Sequence, residues 1–180
     1  MTAGSGSLVL FGYGNPSRGD DALGPLLLER AEAWLQNHLE LNITPIADFQ
    51  LQIEHAEDLR GQDLALFLDA DASCPAPLVF RQIQPARDDS YTTHDLSPSA
   101  VLHIFEQISD QPAPPAFLLG IRGEAFDLGE PLSEAAARHL EAAWGLLEAL
   151  LADVRLESWT GASTPRGRVA ACTNSPSSKG

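Results

Sequence analysis

Four residues of this chain are of types that could together hold or activate something: Asp20, Asp21, Asp69 and His94. Asp20 and Asp21 follow an apolar run, Ser7-Leu8-Val9-Leu10-Phe11, and a cluster of turn formers, Gly12-Tyr13-Gly14-Asn15-Pro16. Asp69 closes a second apolar run, Leu64-Ala65-Leu66-Phe67-Leu68, and His94 lies in a polar stretch, Asp88 to Asp95, ahead of Ser97-Pro98. Two carboxylates and one imidazole form an incomplete ligand set suited to a borderline divalent metal such as nickel or zinc. Each residue also has an ordinary reading. An Asp before a helix is commonly a cap or a partner of the helix dipole, contributing ~1 kcal/mol, and a loop histidine is commonly a hydrogen-bonder. Asp69 resists the ordinary reading, because an acid beside a buried run has to find a partner.

Two other chemistries fit less well. Gly12 and Gly14 between a strand and a helix start suggest a dinucleotide turn, but the third glycine of that fingerprint falls on Ser17, and the paired acids would repel phosphate. Cys74 with His94 offers a nucleophile and a base. Cys74 is followed by Pro75 with no sharp nucleophile turn around it, and a buried lone thiol is the commoner role.

The elements that must position these residues can be read from hydrophobic period and turn chemistry. Ser7–Phe11 predicts a buried strand feeding a loop. A helix is expected over Leu23–Leu39, with Leu27, Ala31, Trp34 and Leu35 on one face and Pro25 in its first turn. Asp20 and Asp21 would then sit at or just before a helix N-terminus. Leu41–Ala47 predicts a second strand, Ile53–Leu59 a short helical or irregular segment, and Leu64–Leu68 a central strand whose continuous apolarity means cover on both faces. Leu78–Phe80 is a further strand, Ser97 and Pro98 cap and open a helix over Ser99–Ile108, and Phe117–Ile121 is the next strand. Ser133 to Val154 is a long helix, with Ala137, Leu140, Trp144, Leu147 and Leu151 on one face. This alternation predicts a three-layer α/β/α sandwich on a twisted, mainly parallel sheet of five or six strands. In such sheets ligands bind beyond the carboxyl ends of the strands, where the four polar residues fall.

Composition sets the frame. The 180 residues, 44% hydrophobic, suit one domain, placed here at residues 1–159. Residues 160–180 turn to Thr, Gly, Ser, Pro, Arg and Lys and are expected to form a flexible tail, in which Arg166, Arg168 and Lys179 could dock a partner. Eleven basic against 25 acidic residues, a net charge of −14, argue against nucleic acid or an anionic membrane as partner. Two cysteines, Cys74 and Cys172, no secretory leader and no apolar run of ~20 residues point to the cytoplasm.

The chain resembles the hydrogenase maturation endopeptidases over roughly residues 7 to 155. Phe11-Gly12-Tyr13-Gly14-Asn15-Pro16-Ser17-Arg18-Gly19-Asp20-Asp21-Ala22-Leu23-Gly24 is similar to that family's opening motif, Gly-x-Gly-Asn-x4-Asp-Glu/Asp-x-x-Gly. Leu66-Phe67-Leu68-Asp69-Ala70 resembles its strand ending in Asp-Ala, and Thr93-His94-Asp95-Leu96-Ser97-Pro98 its histidine loop. Leu118-Leu119-Gly120-Ile121-Arg122-Gly123 and Leu128-Gly129-Glu130-Pro131-Leu132-Ser133 resemble its last strand and helix start. The resemblance implies an endopeptidase that removes the C-terminal extension of a [NiFe] hydrogenase large-subunit precursor. It implies metal ligation by Asp21, Asp69 and His94, and Asp20 is the candidate assisting base. Where some members have Glu, Asp21 is one carbon shorter. Where better-known members carry a Gly-Gly-Thr-like segment, this chain has Asp48-Phe49-Gln50-Leu51-Gln52-Ile53-Glu54, which resembles the branch serving soluble, cofactor-reducing hydrogenases.

Three such ligands with vacant positions would hold a free ion weakly, yet could complete the shell of a nickel already bound by substrate thiolates. The expectation is therefore nickel supplied by the substrate, no tightly bound cofactor, and a monomer. The rival readings are a non-enzymatic nickel-site chaperone or metal carrier, and a cysteine hydrolase built on Cys74 and His94.

Overall fold

The first and third strands open on unbroken apolar runs, Leu8–Phe11 and Leu64–Leu68, buried at every position, so each must be covered on both faces, and the whole architecture follows from that requirement. A computed structural model of the chain describes residues 6–88 and 96–163. Its strands are β1 (Leu8–Tyr13), β2 (Ile43–Asp48), β3 (Leu64–Asp71), β4 (Leu78–Ile83) and β5 (Ala116–Arg122). Its helices are α1 (Leu23–Leu35), α2 (Pro98–Ser109), α3 (Glu134–Ala152) and α4 (Leu156–Ala162), with 3-10 turns at Gly19–Ala22 and Ile53–Leu59.

The described strands form one sheet in the order β2-β1-β3-β5-β4. β1 runs parallel to β2 and β3, and β3 to β5, while β4 pairs antiparallel with β5 at the edge. On one face Leu8, Leu10, Leu64, Leu66 and Leu68 pack with Leu23, Leu27 and Leu28 of α1 and Leu140, Leu147 and Leu151 of α3. On the other, Val9, Phe11, Ala65 and Phe67 pack with Leu51, Ala56 and Leu59 and with Val101, Leu102 and Phe105 of α2. Odd and even positions of the same strands thus feed two separate cores, which is the three-layer sandwich read from the sequence, with five strands and one of them reversed.

Several boundaries differ from the expected ones, each for a local reason. α1 ends at Leu35 rather than Leu39: the Trp34 carbonyl accepts from Asn37 N at 3.1 Å and faces the His38 ring nitrogen at 2.8 Å, so the next helical bond is replaced. The imidazole stacks on the Trp34 ring at 3.6 Å, and Leu39, 83% exposed, has no core to reach. β4 extends three residues beyond Phe80, held by its antiparallel ladder to β5. Helix α4 runs through the 159/160 boundary drawn on composition. Its Trp159 is fully buried, meets Phe80 and Phe117 edge-on at 6.2 and 5.4 Å, and donates from Nε1 to the Leu150 and Asp153 carbonyls. Residues 164–180, with Cys172 and the basic residues Arg166, Arg168 and Lys179, lie outside the described residues. Among the described residues, no helix is long and apolar enough to cross a membrane.

Candidate active site

A cavity of about 480 Å³ opens at the carboxyl ends of β1 and β3, the place where an open parallel sheet gathers its loops. Asp21 and Asp69 both line it, together with Tyr13, Arg18 and Asp88. The opening motif places Asp21 there through its backbone. Gly14 sits at φ 145°, and a Cβ on it would run into the Asp21 carbonyl oxygen, so the loop closes on itself only with glycine at this point. A Cβ on Gly24 would strike the Tyr13 and Leu68 carbonyl oxygens, so glycine lets α1 pack against the ends of both central strands. Asn15 finishes the turn. Its Oδ1 accepts from Ser17 N at 2.9 Å, and its own N–H donates to Asp21 Oδ2 at 2.7 Å, which fixes the carboxylate at the cavity rim.

Asp69 reaches the same cavity as the sixth residue of β3. Burial first, then the Asp21 and Asp71 carboxylates, push its carboxyl up to about 7 against the downward pull of the nearby Tyr13 hydroxyl. An acid held near neutrality between like charges would give up its proton to a bound cation.

The expected role of Asp20 is that of an assisting base, and the structure puts it elsewhere. It is fully buried, outside the cavity lining, and surrounded by donors. Oδ2 accepts from Glu124 N at 2.7 Å, Ala125 N at 3.0 Å and Ser133 Oγ at 2.8 Å, while Oδ1 accepts from Ser133 N at 2.8 Å. Burial raises its carboxyl, but these donors outweigh burial and hold it below its ordinary value. A carboxylate buried outside the cavity lining and kept ionised by four donors is poorly placed to take up a proton in flight. Its work is to tie the opening loop to the segment between β5 and α3.

Cys74 does not fit a nucleophile. Its thiol is pushed up to about 11, first by burial and then by Asp71, and its Sγ lies 3.8 Å from the Asp71 and Gly120 carbonyl oxygens, away from the cavity.

His94 falls in residues 89–95, outside those described. The chain on either side of that segment lines the cavity, at Asp88 and at Leu96 to Pro98. The two sides are joined: Ser97 donates from N and Oγ to the Asp88 carboxylate at 2.9 and 2.6 Å, while its Oγ accepts from Ala100 N as the cap of α2. Among the described residues, no three His, Cys, Asp or Glu side chains cluster closely enough to hold an ion, so Asp21 and Asp69 stand as a pair. Sequence reasoning did not single out Tyr13, Arg18 or Asp88. Tyr13 occupies the variable place between the motif glycines, where only its phenol sets it apart from an aliphatic residue.

The site and sheet together define a class: a three-layer α/β protein with an acid-lined cavity at the carboxyl ends of its two central strands. No protein-family model and no curated protein sequence matches the chain. Solved structures do match. The [NiFe] hydrogenase maturation protease HycI from Thermococcus kodakarensis KOD1 superposes with a TM-score of 0.64 at 22% identity, covering 84% of this chain and 96% of that one. The hydrogenase maturating endopeptidase HybD from E. coli gives 0.59 at 19% identity, with coverage of 80% and 91%. A hydrogenase 2 maturation peptidase from a Thaumarchaeota archaeon gives 0.54 at 23%, with coverage of 80% and 97%. The particular fold is therefore that of the hydrogenase maturation proteases, the same proteins that the motifs resemble.

Proposed function

We propose that this chain is an endopeptidase that removes the C-terminal extension of a nickel-loaded [NiFe] hydrogenase large-subunit precursor. The observation that supports it most is the meeting of Asp21 and Asp69 in one cavity, delivered by two separated motifs, in a fold shared with hydrogenase maturation proteases. The donor set suits the role. Two carboxylates, with His94 as the proposed third ligand, leave coordination positions vacant on an ion such as nickel, so the substrate's nickel brings its own ligands and these three complete the shell. The metal is then part of the substrate and acts as the feature recognised. Hydrolysis adds water across the scissile peptide bond: the hydroxyl goes to the carbonyl carbon, the C–N bond breaks, and the proton leaves with the amine. The nickel can polarise that carbonyl or acidify the water. In this reading Asp20 takes no part in the proton transfer, because it lies buried outside the cavity lining and ties the opening loop to Glu124, Ala125 and Ser133. Action as a monomer in the cytoplasm, on the large subunit of a soluble, cofactor-reducing hydrogenase, belongs to the same proposal.

A trimming assay on nickel-loaded and nickel-free precursor tests it. Cutting of the loaded form alone is expected, and Asp21→Ala, Asp69→Ala and His94→Ala should each lower the rate by at least a hundredfold without unfolding the protein. Equal cutting of both forms would sink recognition through the metal. A stoichiometric complex with no shortened product would point instead to a nickel-site chaperone or carrier.

A further inference from the structure

The opening motif puts a tyrosine where the packing asks only for an apolar residue. β1 and β3 pair in parallel register from Leu8 opposite Leu64 to Gly12 opposite Leu68. Val9 and Ala65, then Phe11 and Phe67, point into the same core, the two phenyl rings stacked at 4.8 Å and 15°. One residue past the last paired position, Gly12 opposite Leu68, come Tyr13 and Asp69, and both line the cavity. Tyr13 is 91% buried, its ring packed in that core, and its hydroxyl makes no hydrogen bond of ordinary distance and angle. It is nonetheless close enough to interact with the Asp69 carboxyl. A buried donor without an acceptor destabilises a fold, and phenylalanine would fill the same space without that penalty. The groups that could use the proton are the carboxylates it faces.

We propose that Tyr13 is a positioning residue for Asp69: with Asp69 ionised and one of its oxygens on the substrate's nickel, the Tyr13 hydroxyl donates a hydrogen bond to the other oxygen and holds the carboxylate as a one-oxygen ligand. The contact between them, short of ordinary hydrogen-bond geometry in the metal-free protein, closes to a full hydrogen bond on engagement, and a partner outside the ligand set orients the ligand itself. This rests on Asp69 being a ligand, as proposed above.

The test compares wild type, Tyr13→Phe and Asp69→Ala, using nickel(II) alone as the probe in isothermal titration calorimetry at one pH, with thermal melts of the metal-free proteins alongside. Tyr13→Phe should weaken nickel binding about tenfold, with a melting temperature equal to or above that of wild type, because the hydroxyl it removes makes no hydrogen bond of ordinary geometry in the metal-free fold. Trimming of the loaded precursor should slow by a similar factor. Unchanged nickel affinity in Tyr13→Phe, with Asp69→Ala binding weakly, would overturn the role of Tyr13 and leave the function reading intact. A lowered melting temperature would overturn it too, by showing that the hydroxyl serves the resting fold. If Asp69→Ala binds nickel as wild type does, the site assignment falls and the role of Tyr13 with it.

Discussion

Asp20 and Asp21 are neighbours in the chain with opposite surroundings, and the contrast can be measured. Asp20 is held by four donors and sits below its ordinary value near 3.8, so its contribution to stability is full above that value and is lost as pH falls through the lower folded value. Asp69 is the reverse. Its folded value of about 7 lies above the unfolded one, so between about pH 4 and 7 the unfolded chain gives up a proton that the folded chain keeps, and stability falls across that window as pH rises. Asp20→Asn should therefore destabilise the protein at neutral pH by about 3 kcal/mol, the amide nitrogen now facing N–H donors, with the deficit shrinking below pH 4. Asp69→Asn should stabilise the metal-free protein by up to about 4 kcal/mol at pH 8 and by nothing at pH 4, since each tenfold difference in proton affinity between folded and unfolded chain is worth ~1.4 kcal/mol and the rise from 3.8 to about 7 spans about three of them, while abolishing trimming. Chemical denaturation at the two pH values checks both signs. The sequence made Asp21 and Asp69 legible, because turn formers and an apolar run mark where strands end. Asp20 was not legible: its partners lie 104 to 113 residues away, and nothing near it shows that a carboxylate could be so fully occupied.

At the scale of elements, the same division between local and distant information holds. The α2 start was readable, because Ser97 and Pro98 carry the cap and the first-turn φ in their own chemistry, and the helix does begin at Pro98 with Ser97 Oγ accepting from Ala100 N. The reversed direction of β4 was not readable, since an apolar triplet does not encode which way it runs. Helix α4 was missed because residues beyond Trp159 turn polar and small, which is the composition of a tail. What holds α4 is one side chain: Trp159 fills the space beside Phe80 and Phe117 and satisfies its indole N–H on the Leu150 and Asp153 carbonyls. Trp159→Ala opens a cavity in the core shared by α1 and α3 and should cost about 3 to 5 kcal/mol, lowering the melting temperature by roughly 10 °C in a domain of this size. A melt of that variant decides it: a shift of only a degree or two would mean that α4 contributes little to the fold.

For the molecule as a whole, the net charge of −14 acts on the fold through long-range self-repulsion, and the cavity concentrates part of it by bringing Asp21, Asp69 and Asp88 to one mouth with Arg18 as the basic residue in its lining. Two forces of different reach are then superimposed. Repulsion over the surface is screened within ~10 Å at 0.1 M salt, so raising sodium chloride should raise the melting temperature of wild type and of Asp69→Asn by nearly the same amount, since the variant still carries almost all of the charge. On the proposed function, repulsion at the cavity would be relieved by a divalent ion bound between the carboxylates. Such an ion stabilises the folded state as RT ln(1 + [L]/Kd), about 2.7 kcal/mol at a hundredfold excess over Kd. Millimolar nickel added at constant high salt should therefore raise the melting temperature of wild type and leave Asp69→Asn where it was. A nickel effect that disappears at high salt, or that survives equally in the variant, would assign it to the acidic surface at large. The cavity would then be a place where charge happens to gather, with no claim on the metal.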